Sequence, residues 1–149
     1  MKLSTKGRYG VKAMVDLAIN QGEDPVSIKS ISQRQNISEY YLEQLFAPLR
    51  RAEIIRSIRG AQGGYLLNRD PETVTVLEIM NILEGPIEIS DCVETGECTN
   101  IDCCATRTVW VKLKDAINGV MENITLQDIV DDYHQTGSLT ILDERKGEN

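Results

Sequence analysis

SIKSISQRQNISEYYLEQLFAPLRRAEIIRSIRGAQGGYLL, residues 27–67, decides the fold. Ser27 stands where an N-cap belongs, and Ile28 and Ile31 supply the apolar positions of a helix near 27–35. Asn36-Ile37-Ser38 makes a tight connection. Ser38 can then cap a second helix running to about Ala52, with Leu42, Leu45, Phe46 and Leu49 facing inward. Two short helices joined by so brief a turn form a helix-turn-helix. The period then changes. Residues 54–58 and 65–67 read as strands around Arg59-Gly60-Ala61-Gln62-Gly63-Gly64, whose glycines free the backbone to turn. No Lys-Ser/Thr follows these glycines and a strand comes next, which argues against a phosphate-cradling loop. A hairpin after a helix-turn-helix makes a winged helix.

Upstream, residues 5–21 predict a helix with Val11, Met14, Val15 and Ala18 on one face, ended by Gly22 to Pro25. Downstream, Thr75 and Glu78 form a capping box for a helix over 75–84, with Val76, Ile79, Met80 and Leu83 as its stripe and Gly85-Pro86 as its stop. Residues 86–104 have no sustained period and contain all four cysteines. From 105 to 122 the pattern is helical again, and Val109, Trp110, Leu113, Ala116, Ile117 and Val120 cover a broad face. Such a face needs a partner, either a second copy of the chain or the chain's own first helix. A last short helix starts at Thr125, and a polar tail, expected to be mobile, follows from His134. The fold class is mainly α: a winged helix-turn-helix with a two-stranded wing and a long C-terminal dimerisation helix. The expected organisation is 1–85 for DNA binding, 86–104 as a cysteine-rich loop, 105–133 for dimerisation and 134–149 as the tail.

The whole chain has 149 residues, 41% of them apolar, without the uninterrupted run of about 20 that a membrane span requires. Its start, MKLSTKGRYG, has no apolar stretch fit for a signal peptide, so a cytoplasmic protein without disulfides is expected. The single His argues against Ser-His-Asp hydrolases, His-ligated zinc hydrolases and papain-like proteases. We expect no enzyme, no small-molecule substrate and no membrane partner. The net charge of −7 conceals a division. Residues 1–69 hold eleven Lys and Arg against six Asp and Glu, a net +5, whereas residues 70–149 hold five against seventeen, a net −12. An uneven solvated surface accounts for such a split; so does a basic binding face.

Double-stranded DNA is the partner that this face and the winged helix predict together. The second helix of the motif enters the major groove N-terminus first, which presents Ser38, Glu39, Tyr40, Tyr41, Glu43 and Gln44. Gln44 can pair with adenine, the Ser and Tyr hydroxyls with bases or phosphates, and Glu43 can accept from cytosine or repel a wrong sequence. Arg50, Arg51 and Arg56 suit phosphates. Arg59, beside Gly60 at the wing tip, suits a minor groove.

Cys92, Cys98 and Cys104 are spaced C-x5-C-x5-C, with Cys103 adjacent to the last. Thiols so dense in a cytosolic loop point to metal more than to a disulfide. The C-x2-C pairs usual for zinc are missing, and an iron-sulfur cluster suits a loop without regular structure. A redox switch, a zinc clip or unligated cysteines remain open.

MKLSTKGRYGVKAM, ISEYYLEQLFAPLR, IRGAQGGYLL, NITLQDIV and the cysteine spacing together resemble the bacterial winged-helix regulators that include the iron-sulfur cluster regulator IscR, the nitric-oxide sensor NsrR and the cysteine-metabolism regulator CymR. The resemblance runs from Met1 to about Tyr133. It implies a homodimer with one 2Fe-2S cluster per subunit, in preference to 4Fe-4S, that represses or activates genes of cluster biogenesis. It further implies that Cys92, Cys98 and Cys104 are ligands, that Tyr41, Glu43 and Gln44 lie at the recognition surface, and that Arg59 belongs to the wing. The alternatives within the family are a cluster-free regulator answering to thiol state or a protein partner, and a nitric-oxide sensor. One position departs. Where the iron-sulfur regulators have a His as fourth ligand this chain has Arg107, whose guanidinium cannot bind iron. Cys103, Asp102, Glu94, Glu97, Asp91, a carboxylate from elsewhere, an exogenous thiol and His134 are the candidates for the vacant role.

Overall fold

The computed structural model describes residues 4–89, 91–94 and 105–136, with Asp91 and Cys92 described in backbone alone. Helix α1 (Thr5–Asn20) lies at the centre. Ala13, Met14, Val15 and Leu17 are buried on it, and Val11, Ala18 and Ile19 pack at the margin of the core. Helix α2 (Ile28–Gln35) begins at Ser27, whose hydroxyl accepts from Ser30 N at 3.1 Å. It ends at Asn36, held left-handed at φ 54°, a conformation that asparagine tolerates better than most side chains. Helix α3 (Glu39–Arg51) repeats the device, Ser38 accepting from Tyr41 N at 3.1 Å. Its Leu42, Leu45, Phe46 and Leu49 are fully buried, so α1, α2 and α3 share one core.

The wing is an antiparallel pair, β1 (Ile55–Ile58) and β2 (Gly64–Leu67), in register Ile55 with Leu67 and Ile58 with Gly64. It is tied to the motif beneath it by two bonds between Val26 and Tyr65, with Val26 N donating at 2.9 Å and Tyr65 N at 2.8 Å. Gly64 permits this approach, since a Cβ there would stand 2.3 Å from the Val26 carbonyl oxygen. Gln21 Oε1 also accepts from Leu67 N at 2.7 Å, and the Tyr65 ring meets Phe46 edge-on at 4.9 Å.

Beyond the wing, a 3-10 turn (Pro71–Thr73) leads to α4 (Val76–Glu84), which buries Ile79, Met80 and Leu83. Half of the expected capping box forms. Thr75 Oγ1 accepts from Glu78 N at 3.1 Å, but the Glu78 carboxylate turns to Arg69 Nη1 at 2.7 Å. A short helix α5 (Asp91–Glu94) stands where no regular structure was expected. Helix α6 (Arg107–Glu122) packs on α4 and α5 and buries none of its residues fully. Val109, Trp110, Leu113 and Val120 all remain exposed. The chain returns through α7 (Leu126–Thr136), which sets Leu126 and Val130 into the core beside α1. Thr125 and Asp128 cap it reciprocally, at 2.9 and 3.1 Å. His134 therefore belongs to α7 and does not open the tail; residues 137–149 lie outside the described residues.

Asp16, 1% exposed, is the one buried charge among the described residues. Arg34 Nε donates to its Oδ2 at 3.0 Å, Arg34 Nη2 to its Oδ1 at 2.8 Å, and Gln35 Nε2 to Oδ2 at 2.7 Å. The hydrogen bond and charge of Asp16 raise the Arg34 guanidinium above its ordinary pKa. Arg34 itself is 38% exposed, so the two partners respond differently to loss of the other. Removing the arginine leaves a buried carboxylate short of donors, whereas removing the carboxylate leaves a cation that water can reach. Arg34→Ala should therefore lower unfolding stability in urea by about 3 kcal/mol, and Asp16→Leu added to it should recover more than half of that loss. Equal losses in the single and double variants would contradict this account.

Candidate nucleic-acid interface

Helix α3 has two faces. Leu42, Leu45, Phe46 and Leu49 turn into the core, and the helical period puts Tyr40, Glu43, Gln44 and Arg51 on the opposite side. All four of these are exposed, Tyr40 at 72%. Ser38 is exposed at the helix start, where its oxygen caps Tyr41 N and its hydroxyl hydrogen stays available to donate. Arg50 is exposed at the far end.

Tyr41 differs from its neighbours. It is half-buried, and its ring meets Tyr9 of α1 edge-on, with centroids 6.1 Å apart and planes at 84°. Its role is thus partly to seat the first turn of α3 on α1. Tyr9 and the adjacent Arg8, whose guanidinium lies 6.0 Å from the Tyr9 ring centroid, were not singled out by sequence reasoning. Only the three-dimensional contact reveals them.

On the wing, Arg56 points out of β1, and Arg59 and Gly60 are exposed at the turn. Gly60 has φ +112°, a region that side chains rarely adopt, and its carbonyl accepts from Gly63 N at 3.0 Å. Arg50, Arg51, Arg56 and Arg59 take part in none of the ion pairs among the described residues. Their charge is available to an outside anion.

The cysteine candidates are placed only in part. The backbone of Cys92 lies in α5, while Cys98, Cys103 and Cys104, with Glu97 and Asp102, fall outside the described residues. Glu94 is engaged in an ion pair with Lys114 of α6, which joins α5 to α6. Arg107 opens α6, and its Nε is buried without a hydrogen-bond partner among the described residues. His134 is exposed on α7 and stacks edge-on against Tyr133. Among the described residues no cluster of three metal-binding side chains occurs, and no helix is long and apolar enough to cross a membrane.

The family model of Rrf2, described as an iron-dependent transcriptional regulator, matches residues 3–132. The HTH-type transcriptional regulator CymR of Bacillus subtilis is 46% identical over 129 residues, covering 87% of this chain and 89% of that protein. The HTH-type transcriptional regulator IscR of Escherichia coli is 42% identical over 130 residues, covering 87% and 80%. The solved structure of T. potens IscR superposes with a TM-score of 0.73 at 47% identity, covering 89% of this chain and 88% of that one.

The free arginines lead to a measurable expectation. Against a duplex selected by the protein from a random-sequence pool, Arg56→Ala combined with Arg59→Ala should weaken binding. It should also flatten the plot of log affinity against log salt by about 0.9 for each phosphate that is no longer neutralised. An unchanged slope would remove both arginines from the interface.

Proposed function

Because the chain belongs to the Rrf2 family, and is therefore a DNA-binding transcriptional regulator and not an enzyme, we propose that it is a homodimer that senses an iron-sulfur cluster and controls cluster-biogenesis genes as repressor or activator. One juxtaposition carries this reading. The segment with Cys92, Cys98, Cys103 and Cys104 leaves α4, which packs on α1, and runs into α6, with Cys92 already on α5. A change in the order of that segment thus acts on two helices, one of them seated on the core of the reading head.

At the DNA, Glu43 and Gln44 face base edges with Tyr40 beside them, and Ser38 and Tyr41 serve bases or phosphates at the helix start. Arg50, Arg51 and Arg56 neutralise phosphates, and Arg59 with Gly60 enters the minor groove. The protein acts in the cytoplasm, where thiols stay reduced.

The donor set suits iron and sulfide. Cys92, Cys98 and Cys104 would hold a 2Fe-2S cluster as thiolates, soft ligands that favour such centres over hard cations. Such a cluster would supply a link among the three thiolates that is sensitive to iron supply and oxidants. Arg107 contributes no ligand. Glu94 is already paired with Lys114, so the candidates for the fourth position are Cys103, Asp102, Glu97, Asp91, His134, a carboxylate from elsewhere or an exogenous thiol.

One observation favours a second reading, a cluster-free regulator of the CymR kind that answers to thiol state: Arg107 stands where a ligand was expected. Identity does not choose between them, since CymR of Bacillus subtilis matches at 46% and the T. potens IscR structure at 47%. Anaerobic purification separates the two. The cluster reading expects a coloured protein with visible absorption and matched iron and sulfide, all lost with Cys92→Ala. A preparation that stays colourless after reconstitution would sink it.

Dimerisation has its own test. Val109, Trp110, Leu113 and Val120 leave an apolar face on α6 that water solvates poorly. Leu113→Glu with Val120→Glu should shift sedimentation from dimer to monomer with the helical circular dichroism intact. A double variant that remains dimeric would move the interface away from α6.

A further inference from the structure

Helix α1 does not cap itself. Ser4 holds the N-cap position without a side-chain bond into the helix, and the first turn has no acidic residue. The missing acceptor comes from 77 residues further along the chain, where Glu84 Oε1 accepts from Gly7 N at 2.8 Å. The Ser4 hydroxyl donates to the same oxygen. A carboxylate there satisfies an orphan donor and faces the positive end of the helix dipole.

The two helices also meet closely. A Cβ on Gly7 would stand 2.7 Å from Met80 Sδ and 3.1 Å from Glu84 Cγ, and one on Gly10 would stand 2.0 Å from Leu83 Cδ1. The end of α4 is therefore interlocked with the first two turns of α1. In that same stretch of α1, Tyr9 supports Tyr41 in the first turn of α3. Glu84 is also the last residue of α4, so Gly85 and Pro86 join it directly to the cysteine segment.

We propose that Glu84 is a positioning residue for DNA recognition: its carboxylate caps α1, and α1 passes that constraint through Tyr9 and Tyr41 to the N-terminal turn of α3. A displacement at the end of α4 thereby reaches the recognition helix without Glu84 touching DNA. This rests on the DNA half of the proposed function and on neither account of the cysteines.

The test uses the full chain with Glu84→Ala and Glu84→Gln, a duplex selected from a random-sequence pool by the wild type, and hydrogen exchange on the same preparations. Glu84 is exposed on its outer side, so both variants should keep the wild-type circular dichroism; if the alanine variant does not, the glutamine variant carries the test. Loss of the cap should weaken duplex binding about fivefold in Glu84→Ala, with Glu84→Gln between it and the wild type. The slope of affinity against salt should stay that of the wild type, because the same phosphates remain neutralised. Simple removal of an anion near DNA would instead tighten binding. Exchange should speed up at residues 5–10 and also at 39–44. Faster exchange at 5–10 with 39–44 and affinity unchanged would reduce Glu84 to a local cap and overturn the proposal. So would tighter binding, or no change at either segment. If the wild type selects no duplex, the DNA reading fails by itself and the exchange at 39–44 still decides whether Glu84 acts on α3.

Discussion

A carboxylate cut off from water must find donors or lose its charge, and Asp16 finds them in Arg34 and Gln35 at the end of α2. That requirement fixes where α2 ends relative to α1. Only three residues separate α2 from α3, so the recognition helix inherits the placement. Apolar packing alone is less selective, because Leu42, Leu45 and Phe46 would tolerate some rotation of the helix pair at small cost. A charged fork with bonds of 2.7 to 3.0 Å tolerates much less. The buried pair thus contributes more to the angle at which α3 is presented than to net stability.

The same helix receives the other parts of the molecule. The wing is tied to its C-terminal end through Gln21 and Leu67, α7 lies along it, and α4 sits on its glycines at 7 and 10. Glycine at these two positions leaves room for the Met80 and Leu83 side chains against α1, and close contacts transmit small displacements where loose ones absorb them. Helix α1 is consequently more than a support for the motif. It touches both the recognition helix and the helix that leads to the cysteines.

What could be read from the sequence follows from the range of each interaction. The caps at Ser27, Ser38 and Thr75 act over three residues, and the apolar stripes repeat over a turn or two, so the helix-turn-helix, the wing and α4 are legible. The exposed face of α3, with Tyr40, Glu43 and Gln44, follows from the same period. Asp16 is not legible as a buried group, because its partners lie 18 and 19 residues away and a lone acid in VDLAI reads equally well as a solvated position. Tyr41 reads as a recognition residue from its place in the helix, but its half-burial depends on Tyr9 in another helix. The bond from Gly7 to Glu84 spans 77 residues and leaves no local trace. Helix α5 is hidden because four residues are too few to establish a period.

Arg107 shows why the cysteine half resists the reasoning that serves the DNA half. A basic surface tolerates an arginine moving from one position to another, since phosphates respond to summed charge. A ligand set does not, because each donor must have a free electron pair at a fixed place, and a guanidinium offers none. Helix α6 nevertheless begins at Arg107, and its guanidinium keeps one buried nitrogen without an acceptor among the described residues. A buried donor left unpaired costs free energy, so the position favours an acceptor nearby. Cysteine and carboxylate side chains are the acceptors that the preceding segment contains in quantity. Residue 107 therefore brings a cation, and no lone pair, to the start of α6.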